Sequence, residues 1–162
     1  MIIGIDLDDT ITKTEEILFK YAKKYNEEKN IIYKIDRDKW DWNKAFGWND
    51  KSVEGFFEKY LKKVFEEVEI KEDAKEVINT LKKDGDTIII ITARNSENVK
   101  DVHRICEKWL KDKQVKVDKI VINGEDKAKE CKENNIDIFI DDRNIPLRKC
   151  IQEFKNTSII NE

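Results

Sequence analysis

Short, almost purely apolar segments recur along this sequence, and they constrain its fold more than any other feature. The first covers positions 2–5 (IIGI), and the second covers positions 87–92 (TIIIIT). Later segments of the same kind occupy positions 119–122, 137–140 and 157–160. Apolar runs of this length, without polar alternation, are typical of strands in a parallel sheet that is buried on both faces.

Amphipathic helical patterns separate most of these segments. Their apolar residues recur at the spacing of one helix face, and Gly85 follows the first pattern as a C-terminal stop. The alternation of strands and helices predicts a doubly wound, Rossmann-like α/β fold with a parallel sheet. The three predicted apolar faces are Ala74, Val77, Ile78 and Leu81; Val99, Val102, Cys106, Trp109 and Leu110; and Leu147, Cys150, Ile151 and Phe154.

One long segment interrupts the alternation. Between the first strand and the first of these helices no convincing strand occurs, and two apolar stripes indicate helices. We therefore predict an α/β core domain of residues 1–12 and 72–162, with a small helical cap, residues 13–71, inserted after the first strand. The stripes are Leu18, Tyr21, Ala22 and Tyr25, and then Val53, Phe56, Phe57, Tyr60 and Val64.

Composition excludes several classes of protein. The net charge is −3 and both signs are interspersed, so binding to a nucleic acid polymer is not indicated. No apolar run approaches membrane-spanning length, and no secretory signal precedes Asp6. Three separated cysteines and one histidine disfavour a zinc site or a disulfide framework. We expect a cytoplasmic protein that does not bind membranes, and the sequence leaves an oligomer possible.

Polar side chains follow three of the predicted strands. Ligands of open α/β sheets bind beyond the carboxyl ends of the strands, so these residues converge on the edge where a site is expected. Lys127, at the start of a helix, adds an ammonium group to the carboxylates and the hydroxyl there. The residues are Asp6, Asp8 and Asp9 after the first strand, Thr92, Ala93 and Arg94 after the second, and Asp141, Asp142 and Arg143 after the fourth.

In type and order these residues resemble the motifs of the haloacid dehalogenase (HAD) phosphatase superfamily. The stretch DLDDT, which begins at Asp6, looks like the DxDx[TV] first motif, and Thr92 looks like the end of the second. Lys127 in GEDKAKEC looks like the third motif, and the acidic pair that closes IFIDD looks like the fourth. Any one motif is weak in so acidic a chain, but four in the right order are a specific signal.

The resemblance implies a catalytic role for four residues. Asp6 is the expected nucleophile, which attacks phosphorus and forms an aspartyl-phosphate. Asp8 is the expected general acid and base, and Asp9 and Thr10 are expected to shape the loop. Thr92 is expected to donate its hydroxyl to a phosphoryl oxygen. Lys127 is expected to offset the negative charge of the nucleophile and the phosphate.

The resemblance also implies a Mg²⁺ cofactor. A carboxylate and a phosphate dianion repel each other, and Mg²⁺ suits a site made of oxygen ligands. The implied ligands are the Asp6 side chain, the Asp8 backbone carbonyl and the acidic pair. By analogy Asp142 binds the metal directly and Asp141 binds it through water.

The insertion is rich in aromatic residues, with Trp40, Trp42 and Trp48 among them. The whole pattern resembles the 5′(3′)-deoxyribonucleotidase group and its bacterial nucleotidase relatives. This resemblance implies a nucleoside monophosphate as substrate, with Trp42 and Trp48 stacking on the base.

The resemblance to nucleotidases also implies that Arg94 and Arg143 contact the sugar or the phosphate, and Ala93 is a further candidate for substrate binding. Alternatively, the aromatic residues build the core of the insertion. Two other functions stay open: a phosphatase for another small phosphoester such as a phosphosugar, and a module that binds phosphate esters without turnover.

Overall fold

A single parallel sheet organises the larger part of the chain. The computed structural model describes residues 1–36, 42–143 and 158–160, with the side chains of residues 42 and 158–160 left undescribed. Its strands are hydrogen-bonded in the order β3-β2-β1-β4-β5, and every neighbouring pair is parallel. The strands are β1 (Ile2–Ile5), β2 (Thr87–Ile91), β3 (Lys119–Val121), β4 (Ile138–Ile140) and β5 (Ser158–Ile160).

The predicted α/β fold is confirmed, and each strand lies within the segment that was predicted for it. In β2, all residues from Ile88 to Ile91 are buried although their side chains alternate between the two faces. Both faces of the sheet are therefore covered. The cluster on one face joins Ile89 and Ile91 to Ala128, Cys131 and Phe139.

The helices of the described chain fall into two groups. Those between the strands are α5 (Ala74–Lys83), α6 (Val102–Asp112) and α7 (Lys127–Glu133). The apolar face predicted for α6 is fully buried, whereas Val77 of α5 is 55% exposed. The helical face predicted around Leu147, Cys150, Ile151 and Phe154 lies outside the described residues. The remaining helices are α1 (Thr14–Lys29), α2 (Trp42–Phe46), α3 (Asp50–Phe56), a π-helical turn (Phe57–Leu61) and α4 (Lys62–Glu67).

The chain divides into two compact units. The core unit contains Met1–Lys13 and Glu69–Glu162, and the insertion unit contains Thr14–Val68. The insertion unit has an aromatic core of its own, in which Trp48 packs against Phe46 and Phe56 with ring centroids 4.6 and 4.8 Å apart. Trp48 also donates its indole N–H to the Oδ1 atom of Asn26.

The two connections between the units pair with each other inside the core unit. Thr12 and Ile70 form an antiparallel bridge, and the backbone N–H of Lys13 donates to the carbonyl of Glu69 at 2.8 Å. The N–H of Lys71 donates to the carbonyl of Ile11 at 2.9 Å. The insertion thus leaves and re-enters the core unit at one point. Among the described residues, every helix is too short or too polar to span a membrane.

Candidate active site

The strand order reverses direction between β1 and β4, and the proposed site lies in the loops that follow these strands. β2 and β3 lie on one side of β1, whereas β4 and β5 lie on the other. Such a switch point opens a crevice at the carboxyl edge of the sheet. The backbone N–H of Asp6 donates to the carbonyl of Ile140 at 2.9 Å, so the first residue beyond β1 lies beside the last residue of β4.

The loop after β1 is a tight turn closed by Thr12. The Thr12 hydroxyl donates to the carbonyl of Leu7 at 2.9 Å and accepts from the N–H of Asp9 at 3.3 Å. Asp9 has a φ of 56°, in the left-handed region that aspartate tolerates better than most residues. Its backbone conformation agrees with the expectation that Asp9 shapes the turn.

A buried ion pair joins Asp6 to the start of α7. The Lys127 ammonium donates to Oδ1 of Asp6 at 2.6 Å and also to the carbonyl of Ile91. Both residues are almost fully buried, with 5% and 2% of their surfaces exposed. Burial raises the pKa of Asp6 to about 7, the Lys127 charge opposes this rise, and the charges of Asp8 and Asp141 add to it.

A second ion pair fixes Asp8. Arg94 donates from Nη2 to Oδ1 of Asp8 at 2.6 Å and from Nε to Oδ2 at 3.0 Å, so its planar guanidinium engages both carboxylate oxygens. The Thr92 hydroxyl approaches Oδ2 of Asp8 at 3.5 Å. The Arg94 side chain is only 1% exposed, whereas that of Asp8 is 30% exposed. The structure therefore brings Asp8 and Thr92 together and places Arg94 behind them.

The acidic pair after β4 is held from two sides. Oδ1 of Asp141 accepts the N–H of Arg143 at 2.8 Å, and the Thr10 hydroxyl accepts the N–H of Asp142 at 3.1 Å. Thr10 therefore bridges the first and fourth motifs, as a bracing residue would. Burial raises the pKa of Asp142, and the charge of Asp141 raises it further.

One carboxylate oxygen of this acidic pair is a candidate ligand for Mg²⁺. Oδ2 of Asp141 is buried and has no hydrogen-bond partner among the described residues. A buried carboxylate oxygen without a partner is costly, so it is a fitting ligand for a hard cation. The charges of Asp8 and Asp141 help to raise the pKa of Asp6, and the charge of Asp141 helps to raise that of Asp142. A bound cation would offset this repulsion between carboxylates.

The donor set fits Mg²⁺ although it is sparse. In the described part of the chain no three side chains of His, Cys, Asp or Glu form a group that would hold a metal. The set expected here needs only two carboxylate side chains and a backbone carbonyl, because Mg²⁺ usually keeps several waters. The residues present are compatible with that set.

The loop between β3 and α7 holds the second motif in place. The N–H of Asn123 donates to the carbonyl of Arg94 at 2.9 Å, and the N–H of Gly124 donates to the carbonyl of Thr92 at 2.8 Å. A Cβ atom at Gly124 would lie 2.9 Å from Cγ2 of Ile91 and 3.2 Å from the Thr92 carbonyl oxygen. A residue without a side chain is required at this close approach.

The other residues predicted for substrate binding differ in their exposure. Ala93 is half-buried and Arg143 is exposed. Trp48 is 4% exposed within the aromatic core of the insertion unit, so its placement favours the structural alternative over base stacking. The side chain of Trp42 and the whole of Trp40 lie outside what the structure describes.

Sequence reasoning missed the partner of Arg94 and the role of the β3–α7 loop. It assigned Arg94 to the sugar or phosphate, whereas the structure pairs it with Asp8. The sequence held only a partial signal: an arginine two residues beyond a predicted buried strand, if buried, needs a carboxylate partner, but the sequence does not say which one. The Asn123–Gly124 pair, a common turn dipeptide, marked the loop without revealing what it holds.

Solved structures share this fold at low sequence identity. A haloacid dehalogenase-like hydrolase, SP0104 from Streptococcus pneumoniae, aligns with a TM-score of 0.70 and 13% identity over 99% of this chain and 83% of its own. A predicted phosphatase from Clostridium acetobutylicum gives 0.65 and 17%, with coverage of 99% and 83%. CbbY from Rhodobacter sphaeroides, solved in complex with phosphate, gives 0.62 and 12%, with coverage of 99% and 86%.

Sequence comparison assigns the family independently of these structures. No curated protein matches the sequence. The family model described as haloacid dehalogenase-like hydrolase matches residues 1–145, which include all four motifs. This chain therefore belongs to the haloacid dehalogenase-like hydrolase family.

Proposed function

We propose that this hydrolase is a Mg²⁺-dependent phosphomonoesterase that works through an aspartyl-phosphate on Asp6. The observation that carries the proposal is the buried pair of Asp6 and Lys127 at the switch point of the sheet. Within the same edge lie Asp8 and Thr92 on one side and Asp141 on the other. A nucleophile, an acid–base group, a hydroxyl donor and a cation are the groups that phosphoryl transfer requires.

The proposed reaction has two halves. In the first, a carboxylate oxygen of Asp6 attacks phosphorus while the bond to the alcohol oxygen breaks, and Asp8 gives that oxygen a proton. In the second, water attacks the phosphorus of the aspartyl-phosphate, Asp8 takes a proton from the water, and Asp6 leaves as a carboxylate. Thr92 donates a hydrogen bond to the phosphoryl group, and Lys127 opposes the rise in the pKa of Asp6 that burial causes, which favours the ionised nucleophile.

Asp6, the Asp8 carbonyl and Asp141 would hold the Mg²⁺ ion. When bound, the ion supplies the positive charge that lets a carboxylate and a phosphate dianion approach each other. Because Oδ2 of Asp141 has no hydrogen-bond partner within the described ranges, Asp141 is the better direct ligand, the reverse of the assignment made by analogy. Asp142, which contacts Thr10, is then the residue that acts through water.

For the substrate we propose nucleoside monophosphates, in keeping with the resemblance to nucleotidases. A phosphate ligand is consistent with the bound phosphate of CbbY, although that likeness extends only to the fold. The aromatic insertion remains our proposed substrate-selecting cap, with Trp42 as its stacking residue in place of the buried Trp48. Arg143, exposed beside the acidic pair, is the proposed contact to sugar or phosphate. We retain the prediction of a cytoplasmic location.

A substrate panel tests the proposal. The protein with Mg²⁺ is incubated with deoxynucleotides, ribonucleotides, phosphosugars and an aryl phosphate, and released phosphate is measured. We expect nucleoside monophosphates to react fastest and Asp6→Asn to abolish release. Phosphosugars as the best substrates would replace the substrate assignment alone. Equal inactivity of both proteins on every compound would leave a module that binds phosphate esters without turnover.

The role of the cap is tested with two tryptophan variants. Trp42→Ala is expected to lower kcat/KM for nucleotides more than for the aryl phosphate, because only the nucleotide carries a base. Trp48→Ala is expected to lower the thermal midpoint, because it removes a buried ring from the aromatic core. An equal loss on both substrates in Trp42→Ala would contradict stacking.

A further inference from the structure

The buried guanidinium of Arg94 has a geometry that its assignment to the substrate does not explain. It engages Asp8 through two nitrogens, Nη2 at 2.6 Å from Oδ1 and Nε at 3.0 Å from Oδ2. A third contact, from Nε to Oδ1, measures 3.2 Å. An arginine fork that matches both oxygens of a carboxylate fixes the orientation of that carboxylate as well as its position.

Asp8 lies closer to solvent than Arg94 does. The Asp8 side chain is 30% exposed and that of Arg94 is 1% exposed, so a ligand that enters from solvent reaches Asp8 first. For Arg94 to contact a phosphate directly, its pair with Asp8 would have to open. Opening it would leave a buried guanidinium charge without its carboxylate, which is costly.

Arg94 is itself held at several atoms. Its N–H donates to the Thr92 hydroxyl at 3.2 Å, and its carbonyl accepts from Asn123 at 2.9 Å. At the far end of the side chain, Nη1 lies 3.9 Å from Sγ of the buried Cys106 on α6. Because both the backbone and the guanidinium are anchored, Arg94 can impose an orientation on Asp8.

We propose that Arg94 is a positioning residue, which aims the Asp8 carboxylate at the phosphoryl position beside Thr92 and does not bind the substrate. The 3.5 Å approach of the Thr92 hydroxyl to Oδ2 of Asp8 marks the direction in which the carboxylate is aimed. The inference rests on the proposed function, since it assigns Arg94 a part in the proton transfers of Asp8. It adds a prediction of its own: Arg94 controls kcat and has little effect on the affinity for phosphate.

The variant that tests this is Arg94→Lys, which keeps the charge and loses the fork. Misplacing an acid–base group typically costs one to two orders of magnitude, so we expect kcat to fall about 10- to 100-fold. The inhibition constant of inorganic phosphate should change by less than about threefold, because no direct contact is lost. The matched control is Arg104→Lys on the surface, where the arginine side chain is 78% exposed.

A double-mutant cycle shows whether Arg94 acts through Asp8. In an Asp8→Asn background, Arg94→Lys should cause no further loss of the residual rate, because the carboxylate to be positioned is absent. An additive loss, or a rise of about tenfold or more in the phosphate inhibition constant, would overturn the inference and make Arg94 a substrate contact. A kcat equal to that of the wild type would overturn it as well.

A structural measurement on the wild type covers the case in which Arg94→Lys fails to fold. In crystals grown with Mg²⁺ and orthovanadate, the guanidinium should still bind Asp8 with both nitrogens. A guanidinium that has left Asp8 and lies within hydrogen-bond distance of a vanadate oxygen would refute positioning. A wild type that releases no phosphate from any substrate would instead refute the proposed function, so the two failures are distinct.

Discussion

Lys127→Met tests the central ion pair of the site. The ammonium of Lys127 lies 2.6 Å from Oδ1 of Asp6, and the two side chains are 1% and 7% exposed. Methionine is unbranched, fills a similar space and carries no charge. The substitution therefore leaves a buried carboxylate without its cation and also removes the bond to the carbonyl of Ile91.

The expected cost follows from the geometry. At 2.6 Å and an effective dielectric constant of about 20, the Coulomb attraction is about 6 kcal/mol before desolvation is counted. Removing one partner of a buried pair typically costs about 3–5 kcal/mol. Asp6 escapes part of this cost by taking up a proton, since its pKa is already about 7 in the paired state. We expect a loss of about 3 kcal/mol near pH 8, which corresponds to about 6–12 °C in Tm.

The assay is thermal and urea unfolding of the metal-free protein near pH 8 and near pH 5.5. The loss should be smaller at the lower pH, because Asp6 is then largely protonated in the wild type and the ion pair is already weakened. Lys129→Met on the same helix is the matched control, with 61% of its side chain exposed and an expected change within about 0.5 kcal/mol. Adding Asp6→Asn to Lys127→Met should restore most of the stability.

Two results would refute this reasoning. One is a Tm loss near pH 8 no larger than that of Lys129→Met, which would mean that the pair contributes nothing. The other is a larger loss of Tm near pH 5.5 than near pH 8, which would mean that the loss of stability does not come from ionised Asp6 losing its cation. Phosphate release, measured on the same samples, should fall at least 100-fold, since the cation also offsets charge in the reaction.

Three further predictions concern the same edge of the sheet. The folded-state pKa of Asp6, about 7, lies above its ordinary value of 3.8, so its contribution to the stability of the metal-free wild type is lost as pH rises between the two values. The stability of Asp6→Asn relative to that of the metal-free wild type should therefore rise with pH across this range, whatever the cost of leaving Lys127 unpaired, and parallel Tm curves would contradict this. Mg²⁺ at ten times its Kd should stabilise the wild type by about 1.4 kcal/mol. In thermal unfolding, the same Mg²⁺ concentration should raise the Tm of Asp141→Asn less than that of Asp142→Asn. Gly124→Ala should cost about 1–3 kcal/mol in urea unfolding, because its Cβ would crowd Cγ2 of Ile91 and the Thr92 carbonyl oxygen; a change under about 0.5 kcal/mol would show that the loop adjusts to the added methyl group.

The sheet was predictable because its strands are buried on both faces. The run IIII at positions 88–91 has no polar residue to suggest another conformation, and each strand begins and ends within one residue of its predicted limits. The residues that end the strands were predictable for the same reason. Asp6 and Thr92 are polar where an apolar run stops, and parallel strands bring such ends to one edge.

Pairings between distant segments were not predictable from local patterns. Arg94 pairs with Asp8 across 86 positions, and nothing beside either residue selects the other. Trp48 was ambiguous because burial in a small aromatic core and stacking on a base require the same kind of side chain. The π-helical turn Phe57–Leu61 had no signal in the sequence, and Leu61 is buried there although the predicted stripe omitted it.

Because Thr12 and Ile70 form a bridge, the pairing of the strands in the sheet does not depend on the length of the insertion. The chain leaves the core unit at Lys13 and returns at Glu69, and a 2.8 Å hydrogen bond joins these two residues. The ends of the insertion are therefore held together whatever its length. The entropy of closing a loop grows only with the logarithm of its length. A core unit with such an entry point can accept insertions of different length without a change in the pairing of its strands.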